Sequence, residues 1–152
     1  MKQTKEFLKQ LEKLDKLIEN KTAESAHWRA MAKRTTTHYG GEKVSSSGSQ
    51  QKMENAIVRY MDIENEINEC IDKMYDKRKE IISIIEKLSS TEYDVLHKMY
   101  VGKTIVREDG ITETKYMSFD EVAEMNGKSY SWATTIHGRA LKNLKRLLEE
   151  NV

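Results

Sequence analysis

The chain has 152 residues with no proline, two phenylalanines and one cysteine, and its charges nearly cancel at a formal +1. With 34% charged and 38% apolar residues, it falls below the usual apolar share of a globular domain, so a large single-cored enzyme is not expected; the length allows one domain, or a small domain with a helical extension. No window approaches the ~20 consecutive apolar residues of a membrane span, residues 1–6 do not read as an apolar signal core, and the lone Cys70 excludes an internal disulfide framework and fits a reducing cytoplasm.

Absent proline, together with abundant Lys, Glu, Leu and Ile, predicts long uninterrupted helices. In residues 2–34, Phe7, Leu11, Leu14 and Ile18 recur at helical spacing, and Ser25, Trp28 and Ala32 continue the stripe. Periodicity stops in residues 35–51, where three threonines, Gly40-Gly41 and a serine run read as a flexible loop. A second helix is predicted over residues 51–88. Its three-four alternation places Met53, Tyr60, Ile67, Met74, Ile81 and Leu88 at d positions. Ile57, Glu64, Ile71, Arg78 and Ile85 fall at a, and the charged a positions weaken the seam. Such a rod, roughly 55 Å long, needs its stripe covered. Either the first helix folds back on it as an antiparallel hairpin, or two copies associate through the same seam; both satisfy the pattern.

Ser89 or Ser90 can cap a short helix with Glu92 and Asp94 in its first turn and Val95, Leu96 and Met99 as its apolar face. It ends by Gly102. Residues 104–116 read as strand, Asp109-Gly110 turn, strand. Ser118 caps a further short helix with Asp120 and Glu121 in its first turn, and Phe119, Val122 and Ala123 are its apolar positions. Asn126-Gly127-Lys128 is a tight turn in which Gly127 can take positive φ. Ser129 then caps a longer helix carrying Ile136, Ala140, Leu141, Leu144, Leu147 and Leu148. Helix, glycine turn, longer helix is the helix-turn-helix pattern, whose second helix enters the DNA major groove by its N-terminal part. Tyr130, Ser131, Trp132, Thr134, Thr135 and Arg139 are therefore candidates for groove contact, and the cap Ser129 counts with them among the DNA-binding residues. Arg139, Lys142 and Lys145, with Arg146, suit backbone phosphates. Trp28 is expected in a core, whereas Trp132 fits burial and DNA contact equally.

Residues 88–144 resemble region 4 of bacterial sigma factors. The opening stretch Leu88-Ser-Ser-Thr-Glu-Tyr-Asp-Val-Leu-His-Lys-Met-Tyr100 is similar to the family's first helix. Residues 118–144 align without a gap to its helix-turn-helix, with Ile136, Arg139, Ala140, Leu141 and Leu144 matching especially well. The match covers about a third of the chain. The insert between Gly102 and Met117 is longer than the usual sigma linker, and Asn126 and Lys128 stand where the family carries apolar residues. Tyr130, Ser131, Thr134 and Thr135 replace its promoter-reading charges, so reading of the ordinary −35 element does not carry over. No segment resembles the region that melts the −10 element, so a complete sigma factor is not expected. The whole arrangement, with Val44-Ser45-Ser46-Ser47 before the long helix, is similar to ArpU/RinA-type late transcription regulators of phages and prophages.

The resemblance implies an all-α protein in two parts, a helical hairpin or coiled coil over residues 1–88 and a region 4-like domain over residues 89–152 with a small β-hairpin insert. It implies double-stranded DNA as partner, phage promoters as targets, contact with RNA polymerase, and the cytoplasm of a bacterial host. The alternative is a helical protein–protein interaction module that binds polymerase or a sigma factor without touching DNA. Nine basic against ten acidic residues from Ser89 onward keep it open. Gly127-Lys128-Ser129 lacks the earlier glycine of a phosphate-binding loop, with Val122 in its place. His27, His38, His97 and His137 have no partners at metal-ligand spacing, and one cysteine cannot build a zinc site. No cofactor, metal or enzymatic activity is expected.

Overall fold

A computed structural model describes residues 2–41 and 47–150. In order run α1 (Lys2–Leu8), α2 (Gln10–Gly41), α3 (Ser47–Ile85), α4 (Ser90–Leu96), a π-helical turn (His97–Val101), β1 (Lys103–Val106), β2 (Thr112–Lys115), α5 (Phe119–Met125) and α6 (Tyr130–Glu150). The chain is thus mostly helical, with one two-stranded antiparallel sheet among the described residues. None of the described helices is long and apolar enough to cross a membrane. Across the junction of α1 and α2, the Lys9 N–H donates to the Lys5 carbonyl at 2.9 Å and the Lys13 N–H to the Lys9 carbonyl at 3.0 Å.

Where residues 35–51 read as loop, α2 is helical to Gly41 and α3 begins at Ser47; residues 42–46, with Val44-Ser45-Ser46, lie outside the described residues. Once a helix is running, each threonine costs only a few tenths of a kcal/mol, less than giving up the next hydrogen bond of a nucleated helix.

The backbone forms two compact units, Lys16–Lys73 and Met1–Asp15 with Met74–Val152. Within Lys16–Lys73, α2 and α3 run antiparallel. Lys21 meets Glu66 at 2.9 Å, and Arg29, further along α2, pairs with Glu64 and lies over the Tyr60 ring. Ser25 and Ala32 of α2 and Ala56, Ile63 and Cys70 of α3 are buried. These positions correct the heptad frame. The d positions Met53, Tyr60 and Ile67 do flank the seam, half-buried, but the residues completing it are Ala56, Ile63 and Cys70, one step before the expected a positions. Ile71 is 49% exposed, and Glu64 faces Arg29 at the rim. Small residues let two helices approach closely, which outweighs the larger side chains of the half-buried Ile57 and the exposed Ile71. Trp28 is half-buried and donates its indole N–H to Glu24 at 3.1 Å.

In the other unit, Leu8 and Leu11 join Ile81, Ile85, Leu96, Tyr100, Val101, Ala140, Leu141 and Leu144 in one core. Each fully buried aliphatic side chain here contributes about 2–3 kcal/mol relative to exposure. Val95, Val122 and Ile136 form a second cluster that binds α4, α5 and α6 together. Helix α4 starts at Ser89, whose Oγ accepts the Glu92 N–H at 3.3 Å. It runs through the π-turn to Gly102, whose N–H donates to the His97 carbonyl at 2.8 Å. Gly102 has φ +79°, and a Cβ there would lie 2.7 Å from the Lys115 carbonyl oxygen. Only glycine fits where helix, hairpin and return strand meet.

The hairpin expected over residues 104–116 is present, with Lys103 opposite Lys115 and Val106 opposite Thr112. Its turn closes through the Gly110 N–H to the Arg107 carbonyl and the Arg107 N–H to the Ile111 carbonyl, both 2.9 Å. The Ile111 N–H donates to Asp109 Oδ1 at 3.0 Å. Gly110, at φ +83°, supplies the left-handed residue that a type I turn with a bulge requires. The Met117 N–H then donates to the Lys98 carbonyl at 3.0 Å, and Tyr116 Oη donates to Asp15 Oδ2 at 2.5 Å. Burial first, and the Asp15 carboxylate second, push the Tyr116 phenol far above its ordinary range.

Candidate nucleic-acid interface

Helix α5 opens with a reciprocal cap. Ser118 Oγ accepts the Glu121 N–H, and Glu121 Oε1 accepts the Ser118 N–H, each at 3.3 Å. Lys115 holds the same glutamate at 2.9 Å. That ion pair, ahead of the Ser118 hydrogen bonds, keeps the Glu121 carboxyl below its ordinary range. At the other end, the Lys128 N–H donates to the Ala123 carbonyl at 2.9 Å and the Gly127 N–H to the Glu124 carbonyl at 3.1 Å. With Gly127 at φ +63°, this is the Schellman termination that the sequence Asn126-Gly127-Lys128 predicts. Asn126 Nδ2 adds a bond to the Val122 carbonyl at 2.8 Å. Ser129 Oγ then accepts the Trp132 N–H at 3.1 Å, which starts α6.

Helix α6 is sharply two-faced. Ala133, Ile136, His137, Ala140, Leu141 and Leu144 are buried. The opposite face carries Ser131, Thr134, Thr135 and Gly138 in its N-terminal half, then Arg139, Lys142, Lys145 and Arg146. No acidic residue appears on α6 before Glu149. Of the expected contacts, Ser131, Thr135, Arg139, Lys142 and Lys145 are exposed on this face and Thr134 is half-buried at its edge. Ser129 is exposed at the cap. Tyr130 is 53% exposed and meets the Phe119 ring edge-on at 5.7 Å. Trp132 lies to one side, packed against the Val95, Val122 and Ile136 cluster.

Both threonine hydroxyls donate to the Ser131 carbonyl, at 3.0 Å from Thr134 and 2.8 Å from Thr135. With those protons engaged, the side chains offer a partner oxygen lone pairs and methyl groups. Such groups match a base-edge amino group and a thymine methyl. Gly138 has open space where its Cβ would be, so the α6 backbone is bare there.

Two features under this face have no signal in periodicity. His137 is wedged between the π-turn and α5: Tyr100 Oη lies 2.6 Å from Nε2, and the Phe119 ring stands edge-on at 4.9 Å. Burial, aided by the Lys5 ammonium, holds His137 down to about 4. Burial, with the Glu12 carboxylate second, pushes Tyr100 up to about 12. Both are neutral at pH 7, so the contact is a neutral pin through the core. The second feature is Glu92, 5% exposed, which accepts from Ser89 Oγ at 3.0 Å and from Asn143 Nδ2 at 3.2 and 2.9 Å. Arg139 Nε lies 3.4 Å from the same carboxylate. The Ser89-Ser90-Thr91-Glu92 spacing signals a cap, yet nothing local announces that the cap glutamate is buried against α6.

No known protein family, curated protein or solved structure matches the chain.

Proposed function

We propose that the chain is a sequence-specific DNA-binding transcription regulator of phage or prophage type, with α5, the Gly127 turn and α6 acting as a helix-turn-helix. The observation that carries this reading is the outer face of α6, small and uncharged in its N-terminal half and cationic beyond it. Ser131, Thr134 and Thr135 meet base edges in the major groove, and Arg139, Lys142, Lys145 and Arg146 neutralise phosphates. Acidic side chains elsewhere in residues 89–152 confine attraction to this one helix. The likeness of residues 88–144 to sigma region 4 adds promoter DNA as the target and RNA polymerase as a second contact.

The test is selection of bound fragments from phage promoter DNA, followed by titration at several salt concentrations. Four phosphate contacts predict a slope of log K against log salt of about −3 to −4. Thr134→Ala combined with Thr135→Ala should weaken the selected site about tenfold and random duplex hardly at all. Equal loss on both would mean that the threonines do not read bases. Absence of binding to any duplex would sink the regulator reading in favour of a helical interaction module.

A further inference from the structure

Arginine carries five donors in a rigid planar fork, and a partner that occupies Nε leaves the two terminal amino groups available. Arg139 is in this situation. Its Nε faces Glu92 at 3.4 Å while its side chain stays 54% exposed. Glu92 cannot follow the arginine outward, because Ser89 Oγ and Asn143 Nδ2 hold both of its oxygens and its side chain is 6% exposed. The carboxylate is therefore a fixed post inside the unit, and Arg139 leans on it from the outer face of α6. Lys142 and Lys145, next along that face, have flexible stems and serve as point charges.

We infer that Glu92 is a positioning residue for DNA recognition, acting through Arg139. It fixes the guanidinium on the outer face of α6 so that the terminal nitrogens meet one phosphate as a pair. This rests on the DNA reading above. Immobilising a long side chain on binding costs roughly three- to tenfold in affinity, and a side chain already held escapes that cost. Arg139 is thus the specific clamp of the cationic half.

The experiment is a double-mutant cycle of Glu92→Gln and Arg139→Lys in the full chain, measured on a selected duplex across salt, with the Arg139 Nε–H followed by 15N NMR in the free protein. The expected result is a loss of about three- to tenfold for Glu92→Gln in the Arg139 background and under twofold in the Arg139→Lys background. The Arg139 Hε should exchange slowly in the wild type and rapidly in Glu92→Gln. Equal loss in both backgrounds would assign Glu92 a merely structural role and overturn the proposal, as would unchanged binding by Glu92→Gln. If Glu92→Gln fails to fold, the wild-type Hε still decides: rapid exchange overturns the proposal, and slow exchange together with a threefold or greater loss in Arg139→Lys supports it. A wild type that binds no duplex while its Hε exchanges slowly would overturn the DNA reading and this role with it, although the bridge itself stands.

Discussion

The two units of this chain are held together by different means. In Lys16–Lys73 the buried positions among the described residues are Ser25, Ala32, Ala56, Ile63 and Cys70; only isoleucine is large. Ion pairs at the rim, Lys21 with Glu66 and Arg29 with Glu64, do the matching between helices. The other unit buries Leu8, Leu11, Ile81, Ile85, Leu96 and Leu144 in a shared core. It adds a neutral Tyr100–His137 contact and a Glu92 network inside. Exposed ion pairs contribute little, whereas packed aliphatics contribute a great deal. The helical pair should therefore open locally long before the unit that carries α6.

The sharpest way to break this comparison is Leu144→Ala, which removes a fully buried side chain from the larger core. It should cost about 3–5 kcal/mol, with Ile63→Ala in the helical pair near the ~2 kcal/mol lower end because two helices can close on the gap. Urea midpoints for both variants check this; equal losses would mean that the pair packs as tightly as the larger unit. Next comes pH. His137 is held at about 4 against an ordinary 6.5, and His97 is also lowered, by burial first and Arg78 second. The unfolded chain binds those protons first, so the stability they represent is complete above pH 6.5 and is lost as pH falls toward 4. The loss is on the order of 1–3 kcal/mol. Glu66 is lowered mainly by its hydrogen bond to Lys21, so its contribution is present above its ordinary 4.5 and lost only below it. Hydrogen exchange at pH 7 and pH 5 should then show protection falling in the larger unit and steady in the helical pair. A profile left unchanged by His137→Gln would remove His137 as the cause. The smallest effect is expected for Lys21→Ala, which should leave the global melting temperature unmoved and only raise exchange in the nearest turns of α2 and α3.

What could be read from the residues was local. Ser118, Ser129, Gly127 and the Asp109-Gly110 turn each act within a few positions, and each forms the cap or turn that its chemistry predicts. The seam of α3 was half legible: Met53, Tyr60, Ile67, Met74 and Ile81 belong to two neighbouring heptad frames. Hydrophobicity favours the frame with Ile57 and Ile71, while close approach selects the one with Ala56 and Cys70. Nothing in residues 1–15 announces that Leu8 and Leu11 pack with Leu96, Val101 and Leu144, since that pairing depends on the fold alone. The outer face of α6 follows from spacing, but the burial of Glu92 and His137 beneath it does not. Both are polar types that a periodic pattern assigns to solvent.

Leu8 and Leu11 also set an order of events. They leave the ribosome well before Ala140, Leu141 and Leu144, which share their core. Such separation makes closure of this unit dependent on long-range contact. The leucines of α1 and α2 wait for their partners in α6, and the hydrophobic surface they expose is available for unwanted association until α6 arrives.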